Sequence, residues 1–230
     1  MNQLFVAVDL MLEVKAFKSV NDLIGELDNG GRFYHLFSHA DDKIVTKGEL
    51  AKAAGQLVGA NNAFLFLKLA TLGFSEAEKF AILNMLEPNL RERYRESMPK
   101  VINPSSVDHE GKAGDAVVVE GPVEHCHDKT QFGGFIMIPI TVGEITTYTM
   151  TPIFDNYAVY RVFDEENRDS KERCAVIAVP LNIEFADGDR VRFAGYLRDL
   201  EFNEGEVRTN SYYLEATYYS RVGKGPSPTT

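Results

Sequence analysis

The spacing of apolar residues changes near the middle of the chain. In the first half they recur at three- and four-residue intervals; in the second they alternate or cluster in short β-branched and aromatic runs. Leu4, Val8, Met11 and Leu12 repeat at helical spacing and predict an amphipathic helix over 2–16. Ser19 is placed to cap a second helix carrying Leu23, Ile24 and Leu27, and Asn29-Gly30-Gly31 stops it. A third short helix is expected over Arg32–Phe37. Thr46 and Glu49 have capping-box spacing, in which the hydroxyl takes a free amide hydrogen and the carboxylate reaches back to the cap. That helix should run to about Leu57. Ala63–Leu72 is apolar nearly all round, the pattern of a central helix covered by its neighbours, and Gly73 ends it. Ser75 and Glu78 form a second capping box, opening a helix over Ala77–Leu86. Pro88 suits the first turn of a last helix with Leu90, Tyr94 and Met98 on one face. Six or seven helices within about 98 residues predict a self-sufficient bundle over 1–98.

Residues 99–114 (PKVINPSSVDHEGKAG) carry two prolines and paired serines with little periodicity, and are expected to be a loosely held linker. Beyond them strands are expected at Ala116–Val123, Phe135–Val142, Thr147–Phe154, Tyr157–Phe163, Cys174–Val179, Arg190–Leu197 and Tyr212–Tyr219. Gly143-Glu144 suits a tight hairpin and Asp155-Asn156 a further reversal. Asp164–Arg173 reads as a charged loop and Asp187-Gly188 as a turn. Gly195 is expected to bend its strand and reset the alternation. The fold class is therefore α+β: an all-α bundle over 1–98, an all-β barrel over 115–222, and a disordered tail over 223–230.

Composition adds limits. At 230 residues, 44% hydrophobic and 25% charged, the chain is a globular protein able to bury a proper core. Splitting the net charge of −10 is more informative: 1–108 holds 12 Lys/Arg against 14 Asp/Glu, and 109–230 holds 12 against 20. The β half is the acidic one, and its field repels polyanions at long range. Two cysteines, Cys126 and Cys174, do not make a disulfide scaffold and fit a reducing, cytoplasmic home; neither has the flanking basic residues of a reactive thiolate. The apolar N-terminus has no basic leader and contains Asp9 and Glu13, against a signal peptide. The longest apolar run is interrupted by Lys68 and Thr71 and is too short to cross a bilayer.

Four segments carry a resemblance: YAVYRVFDEEN (157–167), CAVIAVP (174–180), GDRVRFAGYLRD (188–199) and YYLEATYYSRV (212–222). In order they resemble the later strands of an OB-fold barrel, with VVVEG (117–121) as the first strand. The resemblance covers about 115–222. Two departures are the short Leu181–Ala186 connection, which leaves no room for a helix between strands three and four, and an extra hairpin over 135–154. A different small barrel or a sandwich is the alternative. What the resemblance implies is an oligonucleotide partner, read through aromatic platforms and a basic groove. Tyr157, Tyr160, Phe163, Tyr196, Tyr213 and Tyr219 supply aromatics, and Arg161, Arg190, Arg192, Arg198 and Arg221 supply cations. The candidate ligand-binding set is Tyr157, Arg161, Arg190, Arg192 and Tyr196. The competing reading makes the rings core or ordinary barrel surface and pairs the arginines with abundant carboxylates.

Candidate chemistry is sparse. His125-Cys126-His127-Asp128 groups four potential metal ligands, and His125 and His127 would share one face of a regular strand, although no second pair at finger spacing accompanies them. His35 and His39 stand four apart, as a two-histidine clamp would. The 37–50 stretch resembles a degenerate EF-hand loop or the acidic turn of a TerB-like helical domain, but Ser38 and Ala40 replace acidic ligands and Lys43 stands where glycine belongs. No G-x-S-x-G, H-E-x-x-H, P-loop or G-x-G-x-x-G occurs. The acidic residues of 164–172 and 199–206 read as solvated loops. The expectation is a non-catalytic module without cofactor that recognises protein, or a second copy of itself, through an acidic OB-like barrel. Single-stranded nucleic-acid binding is the first alternative, and a metal-dependent enzyme using the histidines the second.

Overall fold

A computed structural model describes residues 11–28, 43–55, 60–142, 145–165, 174–200 and 212–223. Among them are six α-helices and a seven-stranded mixed sheet, so the architecture is mixed α+β. The expected helix over Arg32–Phe37, with His35 and His39, lies outside the described residues, as do 224–230.

Local rules account for the helix starts. In α1 (Val20–Asp28) the Ser19 hydroxyl accepts from the Asp22 amide at 3.2 Å. Both capping boxes are present. Thr46 heads α2 (Lys47–Ala53) and Ser75 heads α4 (Glu76–Met85), each accepting from the third helical amide while the glutamate there bonds back. Pro88 opens α5 (Pro88–Glu96), where the missing N–H has no partner to lose. α2 stops at Ala53, earlier than expected, because Gly55 takes the left-handed conformation, φ +69°. Lys43 also has a positive φ, 65°, at the position where an EF-hand loop would use glycine.

Between these lies α3 (Ala60–Thr71), in which Phe64, Leu65, Phe66, Leu67 and Leu69 are all buried. One side of α3 meets the other helices and the other meets strands. The core around it takes in Val118, Ala194 and Tyr218 from the barrel, and Tyr218 Oη donates to the Ala54 carbonyl at 2.8 Å. The helical half therefore does not close its own core, contrary to the self-sufficient bundle expected; α3 would otherwise expose an apolar face to water. Met98, expected on the apolar side of the last helix, lies beyond the end of α5 and is exposed.

Five strands form a closed circuit. β3 (Ala116–Val142) pairs antiparallel with β4 (Ile145–Val162), and β4 antiparallel with β5 (Ala175–Pro180). β5 runs parallel to β7 (Tyr212–Gly223), β7 antiparallel to β6 (Arg190–Asp199), and β6 returns antiparallel to β3. Val117, Val119, Val162, Ile177, Val191, Phe193 and Leu214 fill the interior. The register shift here comes from an extra residue on β7, Thr217, since Ala194 stands opposite Tyr218 and Gly195 opposite Ala216. β6 keeps its alternation, with Val191, Phe193 and Leu197 all in the barrel core, so Gly195 does not reset it. A Cβ on Gly195 would sit 2.0 Å from the Glu215 carbonyl oxygen, so β7 passes too close for any side chain there.

Two short strands cover seams that the circuit leaves open. β5 reaches only Tyr213–Glu215 of β7, and β1 (Leu12–Glu13) pairs parallel with Tyr218 and Tyr219 further along. Leu12 and Glu13 are thus extended, which corrects the helix expected over 2–16. An unpaired β7 edge offers backbone bonds, and the strand lets Met11 enter the barrel core while Val14 enters the helical core. β2 (Lys100–Val101) likewise pairs parallel with Val117 and Val118 of β3, below the point where β4 begins. With the 3₁₀ turn Pro104–Ser106 and α6 (Val107–Glu110), it fixes the segment expected to be a loose linker. Ile102 and Val107, buried in the barrel core, hold it.

A further correction concerns the hairpin. Ala116–Val123 and Phe135–Val142 are one strand, and Thr147–Phe154 and Tyr157–Phe163 another, so there is no reversal at Asp155-Asn156. Bulges between His125 and His127 and between Phe132 and Gly134 absorb the polar and glycine residues that read as breaks.

Candidate functional site

The five candidate ligand-binding residues point away from the barrel interior, since their strand neighbours Val162, Tyr160, Val191 and Phe193 fill it. They are spread over β4 and β6. Tyr196 stands opposite Ala116 of β3 and Tyr157 opposite Lys129 of the same strand. Thirteen residues of β3 separate those positions, a path of roughly 40 Å at about 3.3 Å each along a bulged strand that bends round the barrel. Arg190 and Arg192 lie between them on β6, and Arg161 on β4 faces Glu124 of β3. The remaining aromatics of the proposed platform are mostly core: Tyr160, Phe163 and Tyr219 are 3%, 4% and 7% exposed. Tyr160, Phe193 and Tyr219 each meet Phe185 edge to face inside the barrel.

Glu120 decides the electrostatics of the arginine pair. It is the β3 residue directly opposite Arg192, with Arg190 two positions along on the same face. Arg190 Nε donates to its Oε1 at 2.7 Å and Arg192 Nε to its Oε2 at 2.5 Å. Arg190 also pairs with Glu165. Two guanidinium groups and two carboxylates thus form a neutral cluster. Elsewhere on the barrel Arg198 Nε donates to Glu215 at 2.6 Å. Arg221 lies 3.6 Å from an Asp189 oxygen, donates to the Glu184 carbonyl, and covers the Phe185 ring at 4.7 Å. Cations committed to carboxylates on neighbouring strands are not a groove that releases counterions from a phosphate backbone.

The histidine cluster is rearranged by a bulge. Cys126 is the extra residue between His125, opposite Tyr160, and His127, opposite Val159, so the two imidazoles do not occupy alternate positions of a regular strand. The His125 ring lies 2.8 Å from Asp128 Oδ1 and 5.2 Å edge-on from Tyr160, and its backbone amide donates to Asp187 at 2.8 Å. Among the described residues no group of three His, Cys, Asp or Glu comes together as metal ligands. No disulfide joins Cys126 and Cys174, and β4 lies between β3, which carries Cys126, and β5, which Cys174 immediately precedes. Burial raises both thiols, Cys174 to about 11, and Arg161 opposes the rise at each.

Sequence reasoning missed one concave feature. A cavity of about 290 Å³ opens where the helices meet the barrel, walled by Phe64, Met98, Lys100, Asp115, Ala116 and Tyr196. Lys100 Nζ sits 2.7 Å from Asp115 Oδ2 at its rim. Tyr196, half-buried there, has its phenol raised by desolvation. The wall formed by 98–116 was invisible because that stretch read as a linker; the apolar Val101, Ile102 and Val107 were the available signal.

No helix among the described residues is long and apolar enough to cross a membrane. No family model matches the chain, and no curated protein matches it. Among solved structures, the chain is similar to the N-terminal domain of an archaeal MCM, at 13% identity and a TM-score of 0.39, over 88% of this chain and 95% of that one.

Proposed function

We propose that this protein is a non-catalytic recognition or assembly module whose acidic, OB-like barrel contacts protein and not a polyphosphate chain. The closed circuit β3–β4–β5–β7–β6 supports the OB-like reading of the second half. The observation that carries the functional reading is Glu120 held between Arg190 and Arg192. A barrel that reads single strands needs those guanidinium groups available to phosphate, and here a carboxylate of the first barrel strand occupies both. The surplus of eight negative charges in 109–230 acts in the same direction at longer range.

Fluorescence anisotropy with a labelled single-stranded oligonucleotide tests the reading. Wild-type protein at micromolar concentration and low salt is expected to leave the probe unbound. Glu120→Gln combined with Glu165→Gln should create weak, salt-sensitive binding by freeing both arginines. Wild-type binding that weakens steeply with salt, and that Arg190→Ala/Arg192→Ala abolishes, would overturn the reading in favour of single-stranded nucleic acid.

A further inference from the structure

The cavity between the helices and the barrel has walls of two kinds. Phe64, Met98 and Tyr196 supply apolar and aromatic surface, and Glu96, Asp115 and Lys100 supply charge. At about 290 Å³ it lies at the small end of ligand pockets, with room for one long side chain or a small molecule. Rigid elements hold these groups. Phe64 comes from α3, where it is buried and meets Tyr94 of α5 edge to face at 5.3 Å. Glu96 is the last residue of α5, and the amide of Ser97 behind it closes the helix on the Arg93 carbonyl at 3.0 Å. The negative end of that helix dipole therefore lies at the cavity wall. Tyr196 stands on β6, opposite Ala116 of β3.

The charge balance favours a cation. Lys100 Nζ lies 2.7 Å from Asp115 Oδ2, so that lysine is already committed. Arg198, 5.9 Å from the centre of the Tyr196 ring, is committed to Glu215. Among the described residues no ion pair engages Glu96. One carboxylate and a helix C-terminus thus remain unanswered at the wall, beside a barrel with eight surplus negative charges in its half of the chain. An anion would meet repulsion from all of these. A purely apolar ligand would strip water from Glu96 and give nothing back. A protonated amine or guanidinium on an apolar stem matches both kinds of wall, the stem against Phe64 and Met98 and the head at Glu96. The face of the Tyr196 ring adds attraction for the same head.

The rim indicates what carries that cation. Met98, which lines the cavity, and Val101, one residue beyond Lys100, are 50% and 52% exposed. Val101 belongs to β2, which pairs with β3 on one side; among the described residues no strand pairs with its other edge. A polypeptide can lie along that edge, cover both apolar side chains and place one basic side chain in the cavity. A free amine reaches neither Val101 nor the strand edge.

We infer that this cavity receives a lysine or arginine side chain of a protein partner, with Glu96 binding the cationic head and Phe64, Met98 and Tyr196 the stem. This deepens the protein-recognition reading above and rests on it. NMR of the full chain with isotope-labelled methionine methyls tests it, because Met98 lines the site and Met11, buried in the barrel core, is an internal reference. The probe is the blocked peptide acetyl-Leu-Lys-Leu-amide. The Met98 methyl is expected to shift saturably, with a Kd of about 1 mM, while Met11 stays in place. Replacing the peptide's lysine by norleucine, and separately Glu96→Gln in the protein, should each weaken binding about fivefold. Lys100→Leu, which releases Asp115, should tighten it about threefold, a gain that misfolding cannot imitate. A Met98 methyl that does not move up to about 20 mM peptide overturns the cavity assignment while leaving the oligonucleotide result, and with it the functional reading, intact. Equal binding of the lysine and norleucine peptides overturns it too, as does n-butylammonium binding as tightly as the lysine peptide, which would make the ligand a free amine. So does an equal loss from Glu184→Gln, beside Arg221 towards the other end of β7, since the attraction would then be the barrel's general field.

Discussion

Replacing Glu120 by Gln changes one charge at the centre of the arginine cluster without changing its shape. The Glu120 and Arg192 side chains are only 18% and 23% exposed, so their contact is largely withdrawn from water. Arg190 is 41% exposed and shares its charge with the more open Glu165, so its part is discounted to a few tenths of a kcal/mol. A charge-assisted hydrogen bond contributes about 1.5–3 kcal/mol net, and its neutral counterpart about half that. Glu120→Gln should therefore destabilise the protein by about 1.5 kcal/mol, lowering Tm by about 3–6 °C for a chain of this size. Urea unfolding gives the loss directly, and a double-mutant cycle with Arg192→Met isolates the pair. Coupling of about 1 kcal/mol is the expected outcome, persisting in 0.5 M NaCl because the pair is shielded. A loss below about 0.5 kcal/mol, or an equal loss with and without Arg192, would refute the idea that Glu120 holds the arginines.

Leu67→Ala removes a fully buried side chain from α3 and should cost about 3 kcal/mol in urea unfolding. Tyr218→Phe deletes the hydroxyl that bonds the Ala54 carbonyl across the helix–barrel boundary, an expected loss of about 1 kcal/mol by the same assay. Gly195→Ala forces a Cβ against the β7 backbone and should destabilise more than Gly73→Ala, where a Cβ meets nothing within 4 Å; thermal denaturation of both ranks them. The Cys174 thiol is raised by burial from 9.0 to about 11, so the unfolded state ionises first. Its contribution is fully present below about pH 9 and is lost as pH rises towards about 11. Wild type should lose stability over that window more steeply than Cys174→Ala, measured as urea midpoints.

Helix starts were legible because each depends on residues within one turn. Ser19, Thr46, Ser75 and Pro88 act on the nearest amides, and each begins a helix where local chemistry places it. The strand Arg190–Asp199 was legible by alternation, and Ala175–Pro180 by its short continuous β-branched apolar run. What failed depends on partners far along the chain. Leu12-Glu13 has helical periodicity nearby, yet an open edge on β7, some 200 residues away, draws it into a strand. Lys100-Val101 looks like linker until Val117 and Val118 offer a ladder. The polar run at His125–Thr130 resembles a loop because nothing local reveals a bulge that lets a strand pass through it. In the candidate site, Arg190 and Arg192 were visible as exposed cations, but Glu120, about 70 residues upstream, was not identifiable as their shared partner.

That partner also explains how a net acidic barrel tolerates a face rich in arginine. Arg190 and Arg192 alternate outward on β6, and β3 sets Glu120 directly opposite Arg192. Opposed residues in an antiparallel pair lie within reach of one another, so opposite charges there attract and like charges would push the strands apart. The register that closes the barrel is thus the register that neutralises the guanidinium groups. Shifting β6 by one residue would bury both arginines and expose Val191 and Phe193, which fill the core. Packing fixes the strand's phase, and the charge pairing follows from it. Freeing these arginines for an anion therefore requires a change at Glu120 itself, not a rearrangement of the strands.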